Sequence, residues 1–254
     1  MDNNHYFYGR NPITELLKKP KGSKELPQKI FVSYGAHGTG IDDIIKAARS
    51  KSVPVTKYDN RKFGLLEKEI GLEQRASQGV IALMPIGESK EPEELIIDSF
   101  EEVNPLLLVL DEIKDVHNLG AIARTAAALG AYGIIVPDRN SAPVNPTTLK
   151  ISAGTLEFFP VATSKNIKQT IDYMKGEGFT VIGTEMNGTN RYTEDLYDGP
   201  TCIVIGSEEK GMRQSVKDKC DKTVSIDISD KVESLNASVA AAIILSEIAR
   251  QRKI

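Results

Sequence analysis

The sequence predicts an α/β fold in two parts, a small α/β domain followed by a larger one on a parallel sheet, and three observations point there. Residues 106–110, Leu-Leu-Leu-Val-Leu, form an apolar run so continuous that both faces of the strand must be covered, as in a central parallel strand. Strand-like runs at 132–136, 179–183, 202–205 and 223–226 then alternate with helical patterns at 119–129, 166–175 and 237–250. The first ninety residues carry a separate alternation, with strands at 29–33, from 53 and at 79–84, and amphipathic helices at 41–51 and 62–70. Between the two parts, residues 85–94 hold prolines, a glycine and acids with little to bury, which suits a linker. The expected domains are 1–85 and 105–254, joined by a linker at 86–104.

Composition narrows the class. With 26% charged and 40% hydrophobic residues the chain is globular rather than disordered or collagen-like. No apolar run approaches the roughly 20 residues that span a membrane. The start, Met1 to Phe7, has neither the basic head nor the apolar stretch of a signal peptide, so the expected location is cytoplasmic. Cys202 sits in an apolar strand pattern and Cys220 at a charged helix end, which makes neither a disulfide framework nor a metal cluster. The net charge of −3 is unevenly spread: residues 1–90 carry 15 Lys+Arg against 10 Asp+Glu, and residues 91–254 carry 17 against 25. The N-terminal part is therefore the better candidate for contacting phosphates.

Ligands of open parallel sheets bind outside the carboxyl ends of the strands, so the loops after residues 110, 183, 205 and 226 are where chemistry is expected. Three of them hold polar motifs. The first is residues 111–126, where the central strand ends and a helix begins. Asn118 can be a simple helix N-cap. Gly120 needs another reason, because glycine in a first helical turn costs about 1 kcal/mol relative to alanine unless something approaches the backbone closely. Arg124 lies on a helix otherwise made of Ala, Ile, Thr and Leu. The plainer account of it is a lone surface arginine.

The second motif is residues 203–213, a strand running into a turn with Gly206, Glu208 and Gly211. Such a turn is either a tight connection or a place for a ligand against exposed backbone N–H groups. It is neither a Walker loop nor a G-x-G-x-x-G fingerprint, and Glu208 suits a cationic or hydroxyl-bearing ligand better than a pyrophosphate. The third, residues 226–242, concentrates Ser234, Asn236 and Ser238 beside an alanine-rich helix. Ser234 or Asn236 can be an N-cap and no more; buried, such groups need partners.

Together the three segments resemble the SpoU/TrmH family of RNA ribose 2′-O-methyltransferases, within the SPOUT superfamily. The N-x-G-x-x-x-R core is Asn118, Gly120 and Arg124, the G-x-E-x-x-G turn is Gly206, Glu208 and Gly211, and S-L-N-x-S-V-A runs unbroken from Ser234 to Ala240. Residues 1–85, with Tyr8-Gly9-Arg10-Asn11-Pro12 near the start and Ser77-Gln78-Gly79-Val80 near the end, are similar to the L30e-like RNA-binding domain of members that modify a 23S rRNA guanosine. The sequence departs from the family pattern at Ser77, at Val116, where proline is usual, at Glu209, where glycine is usual, and beside the expected cofactor at Asp227 and Asp230, which replace a proline and a glycine.

The resemblance implies S-adenosylmethionine as methyl donor, RNA as substrate, no metal, a homodimer with a shared active site, and a C-terminal trefoil knot that pattern reading alone would exclude. It implies that Arg124 activates the ribose hydroxyl. Asn118, Glu208, Ser234 and Asn236 would position ribose and donor, while backbone near Gly206, Ile226 and Leu235, with Thr184, would hold the cofactor. Adenosine-directed or tRNA-directed methylation, and a silent RNA- or ribosome-binding protein of the same fold, are the alternatives. A nicotinamide-dependent oxidoreductase fits the coarse strand pattern but lacks the glycine fingerprint.

Overall fold

A computed structural model describes residues 5–23, 26–72, 76–85 and 89–253, and the chain divides into two compact units, Met1–Ile86 and Gly87–Ile254. In the first, β1 (Tyr6–Tyr8), α1 (Arg10–Leu16), β2 (Lys29–Ser33), α2 (Thr39–Ser50), β3 (Val55–Tyr58), α3 (Asn60–Glu69) and β4 (Val80–Leu83) follow in order. The four strands lie in the order β1-β4-β2-β3, with β2 and β3 parallel and the other two pairs antiparallel. Alternation along β2 explains the layers. Ile30 and Val32 pack with Ile13, Ile41, Ile44 and Ala48 on one face, while Phe31 packs with Phe63, Leu66 and Ile70 on the other.

The second unit comprises β5 (Ser89–Lys90), α4 (Pro92–Asp98), β6 (Leu106–Asp111), α5 (Val116–Ala128), β7 (Gly133–Pro137), α6 (Pro146–Ile151), β8 (Val161–Ser164), α7 (Ile167–Gly176), β9 (Thr180–Thr184), β10 (Asn190–Arg191), β11 (Thr201–Gly206), α8 (Gln214–Lys217), β12 (Lys222–Ser225) and α9 (Ala237–Arg252). Among the described residues its eight strands run in the order β10-β12-β9-β11-β6-β7-β8-β5, and every pair is parallel. The expectation for residues 106–110 is met in detail. Leu106, Leu108 and Leu110 pack beneath α5 and α9, and Leu107 and Val109 face α4 and α7. Each such side chain, fully buried, contributes about 1.5–3 kcal/mol.

Within the stretch expected to be a linker, residues 89–104 carry β5 and α4 and pack with the second unit. Ser89 and Lys90 pair with Val161 and Ala162, and Leu95 and Ile96 are fully buried within the second unit. Two apolar residues a helical face apart from the acids are enough to dock one short helix.

The region around α5 also differs from expectation. Its N-cap is Asp115, which accepts from the His117 N–H at 2.8 Å, so Asn118 stands inside the first turn with its side chain free for another use. Gly120 is required by a helix rather than a ligand: a Cβ there would meet Ile151 Cγ2 at 2.7 Å and the Thr148 carbonyl oxygen at 3.0 Å, both on α6. Asn145 caps α6 by accepting from the N–H groups of Thr147 and Thr148, which sets Ile151 against α5. Gly120→Ala should therefore destabilise the second unit by about 1–3 kcal/mol, despite alanine's better helix propensity. A shift of its urea unfolding midpoint to lower concentration is the expected reading; an unchanged or raised midpoint would contradict the close packing.

Candidate active site

The polar motifs converge at the carboxyl ends of β6 and β11, which are direct neighbours with Asp111 opposite Gly206. Asp111 closes an apolar strand and is 0% exposed, so its carboxylate needs a partner. Arg213 supplies it: its backbone N–H donates to Oδ2 at 2.8 Å, and its guanidinium reaches Oδ1 at 2.8 Å from Nε and 2.6 Å from the terminal nitrogen. These bonds push the Arg213 guanidinium above its ordinary value. Residues 206–213 thus leave the sheet beside Asp111 and return to it. Inside that circuit Ser207 and Gly211 exchange backbone hydrogen bonds of 3.1 and 2.8 Å, and Gly211 adopts φ +64°. Gly206 has no room for a side chain, since a Cβ would run into the backbone of Gly211 and Met212.

Glu208, at the tip of this turn, joins the other two motifs. Its Oε1 accepts from Asn118 Nδ2 at 3.0 Å, from the Ala237 backbone N–H at 3.1 Å and from Asn236 Nδ2. Asn236 Nδ2 also donates to Asn118 Oδ1 at 2.9 Å. The other end of Asn236 caps α9, with Oδ1 accepting from the N–H groups of Ser238 and Val239 and from the Ser238 hydroxyl. Asn236 is therefore both the helix cap of the plainer account and a member of the network. A carboxylate at the first turn of α9 is further favoured by the helix dipole.

A cavity of about 340 Å³ opens beside the network, within the size range of small-molecule sites. Thr184, Gly206, Ile226 and Leu235, the four expected cofactor contacts, all line it, as do Glu208 and Ser234. Its apolar wall comes from Ile205, Val224, Ile226, Leu235 and Ile244. Thr184 is inward-tied, its hydroxyl donating to the Val204 carbonyl at 3.0 Å. Of the expected catalytic set, Asn118, Glu208 and Asn236 meet in one hydrogen-bonded cluster and Ser234 stands exposed at the rim. Arg124 does not join them. It lies exposed on α5, six residues or about 9 Å along the axis from Asn118, and among the described residues its guanidinium meets no hydrogen-bond or ion-pair partner.

Sequence reasoning passed over Asp111 and Arg213, although a carboxylate ending a wholly apolar strand was a signal that some cation must reach it. It also passed over Glu185 and Met186, which follow β9 and line the cavity.

A parallel sheet whose strand ends open on an apolar cavity with a polar cluster at its rim is the arrangement of a small-molecule-binding α/β protein. The chain belongs to the SpoU rRNA Methylase family, whose model matches residues 105–246, and is by that membership a methyltransferase. It is 36% identical to an uncharacterized tRNA/rRNA methyltransferase of Mycolicibacterium gilvum, over 100% of this chain and 78% of that one. It is 34% identical to a putative TrmH family tRNA/rRNA methyltransferase of Bacillus subtilis, over 97% and 96% of the two chains. Among solved structures, the SpoU methyltransferase AviRb of Streptomyces viridochromogenes in complex with AdoMet matches with a TM-score of 0.60 at 25% identity, covering 98% of this chain and 90% of that one. SpoU methyltransferases use S-adenosylmethionine.

The Asp111–Arg213 contact sets a test of the turn that carries Glu208. Arg213→Ala would leave a buried carboxylate without its cation, and about 3 kcal/mol of stability should be lost from the methyltransferase unit. Adding Asp111→Asn should restore part of that loss in urea unfolding. A double variant as unstable as the two single losses summed would mean that the pair does not interact as described.

Proposed function

We propose that this protein transfers a methyl group from S-adenosylmethionine to a ribose 2′-hydroxyl of RNA, with a guanosine of 23S rRNA as the target. The single observation that carries the reading is the Asn118–Glu208–Asn236 cluster at the rim of an apolar cavity, in a chain of this family. The cavity fits the cofactor's character. Ile205, Ile226, Leu235 and Ile244 offer an apolar bed for a base, backbone at Gly206 lies open to it, and the acidic rim tolerates a sulfonium where it would repel a pyrophosphate. When bound, S-adenosylmethionine supplies an electrophilic methyl group on a sulfonium.

The chain's own residues then have two tasks, alignment and stabilisation of charge. A ribose hydroxyl ionises roughly five to six units above neutral, so full deprotonation costs about 7–8 kcal/mol at about 1.36 kcal/mol per unit. Arg124 acts by charge rather than as a base; its guanidinium stabilises the developing alkoxide, and the proton leaves to phosphate or water. Asn118, Glu208, Asn236 and Ser234 hold ribose and donor in line, which lowers the remaining barrier. Backbone near Gly206, Ile226 and Leu235, with Thr184, holds the cofactor, and no metal takes part.

Arg124 stands off the cavity of its own chain, which supports a homodimer in which the site is completed by a second copy. Ala128 is exposed one turn after Arg124 on α5, and Val239 is exposed on α9, apolar surface that a second copy can cover. The C-terminal trefoil knot belongs to this reading through family membership. So does an L30e-like RNA-binding role for residues 1–85, supported by their excess of cations and by a groove lined by Arg10, His37, Asn60 and Lys68. The reading places the protein in the cytoplasm with its rRNA; among the described residues no helix is long and apolar enough to cross a membrane.

Two experiments test the reading. Arg124→Ala should bind S-adenosylhomocysteine within about twofold of wild type and lose roughly 10²- to 10³-fold in transfer rate, the scale of removing one preorganised donor. Transfer at near wild-type rate would remove the role assigned to Arg124. Mapping 2′-O-methylated nucleotides in RNA from a deletion strain and its parent should show one guanosine of 23S rRNA unmodified. Loss at an adenosine or in tRNA would move the substrate, and no loss anywhere would leave a silent RNA-binding protein of this fold.

A further inference from the structure

The cavity holds two acids that the cluster does not use, the exposed Glu209 and the half-buried Glu185. Of its polar lining side chains, Thr184 and Ser207 donate their hydroxyl protons to the carbonyls of Val204 and Gly211, and Glu208 gives Oε1 to three donors. Glu185 is placed differently. It follows β9 directly, and its N–H is bonded to the Val224 carbonyl at 3.0 Å, which fixes it between β9 and β12 at their carboxyl ends. Its side chain is 20% exposed, and its Oε2 lies 3.3 Å from Lys217 Nζ, on α8. Among the described residues Lys217 is the one group recorded against its carboxylate.

A carboxylate that meets a single cation keeps further lone pairs that seek donors. An ionised carboxylate accepts two parallel O–H bonds, the geometry offered by the adjacent hydroxyls of a ribose. An acid just past a parallel strand does this work in dinucleotide sites on doubly wound sheets. Resting on the S-adenosylmethionine reading above, we infer that Glu185 recognises the 2′,3′-diol of the cofactor's ribose. Lys217 is a positioning residue that fixes the Glu185 carboxylate.

Titration calorimetry on the full chain tests this with S-adenosylhomocysteine and its 2′,3′-dideoxy analogue, with no turnover required. The wild type should prefer the parent compound by roughly 10- to 100-fold, the scale of a hydrogen bond to a charged group. Glu185→Gln should weaken the parent by a similar factor, bind the analogue as the wild type does, and so lose the preference. Lys217→Gln should weaken the parent less and keep a preference. Should Glu185→Gln not fold, Glu185→Asp, which withdraws the carboxylate by one methylene, should show the same selective loss. A preference retained in the Glu185 variants, or an equal loss for both ligands, would overturn the inference. A wild type that binds neither ligand would remove the cofactor reading first and this one with it.

Discussion

The site is organised around one oxygen. Glu208 Oε1 collects donors from Asn118 on α5, from Asn236 before α9 and from the first N–H of α9, groups that lie 90, 28 and 29 residues away in the chain. Three segments with no local reason to meet are thereby fixed against one another. Because Oε1 accepts from all three donors, none of the three polar groups is left buried without a partner, which is the condition under which a polar cluster rigidifies a site. The position of the helices follows. With Asn118 in the first turn of α5 and Asn236 at the cap of α9, both helices begin at the same point and lie side by side over Leu106, Leu108 and Leu110.

What holds Glu208 still is a second circuit. Gly206 leaves β11 opposite Asp111, the chain doubles back through Ser207 and Gly211, and Arg213 closes on the Asp111 carboxylate. Asp111 lies beside Glu112, a residue at φ +60°, a conformation that costs about 1–2 kcal/mol outside glycine. The kink returns Ile113 to the core, where its carbonyl accepts from the Ala142 N–H at 2.7 Å. Burial of Ile113 and the Asp111 pair together outweigh that strain, so the loop feeding α5 is held from both sides.

How much of this the sequence displays depends on how far apart the interacting residues lie. The strands at 106–110, 202–205 and 223–226 appear where their apolar runs place them, because burial on two faces leaves a local trace. The helix at 146–151 and strand at 161–164 leave little, being six and four residues long. Gly120 is visible as an anomaly, yet the side chain that demands it is Ile151, on an element with no amphipathic pattern to announce it. The Asp111–Arg213 pair spans 102 residues, and either residue alone reads as an ordinary charge. Arg124 is the opposite case: its motif is legible and its place in the helix is right, but nothing local says that its guanidinium stays off the cavity of its own chain.

The departures from the family pattern acquire a physical meaning on this frame. Val116 is the first residue of α5, the position where proline's fixed φ suits a helix and its missing N–H costs nothing. Asp115 caps the helix regardless, so valine gives up preorganisation and keeps the start. Asp227 replaces another proline and instead faces Arg191 at 3.4 Å, with both side chains 71% exposed, a contact of at most about 1 kcal/mol. The loop it sits in is secured at its ends, by Ile226 against the core and by the Asn236 cap, while Lys231 to Ser234 between them are exposed. A proline stiffens such a segment before any ligand arrives. Without it, whatever lies against Ile226 and Leu235 must also order the span between them, so the cost of the substitution falls on ligand affinity and leaves the cluster at Glu208 untouched.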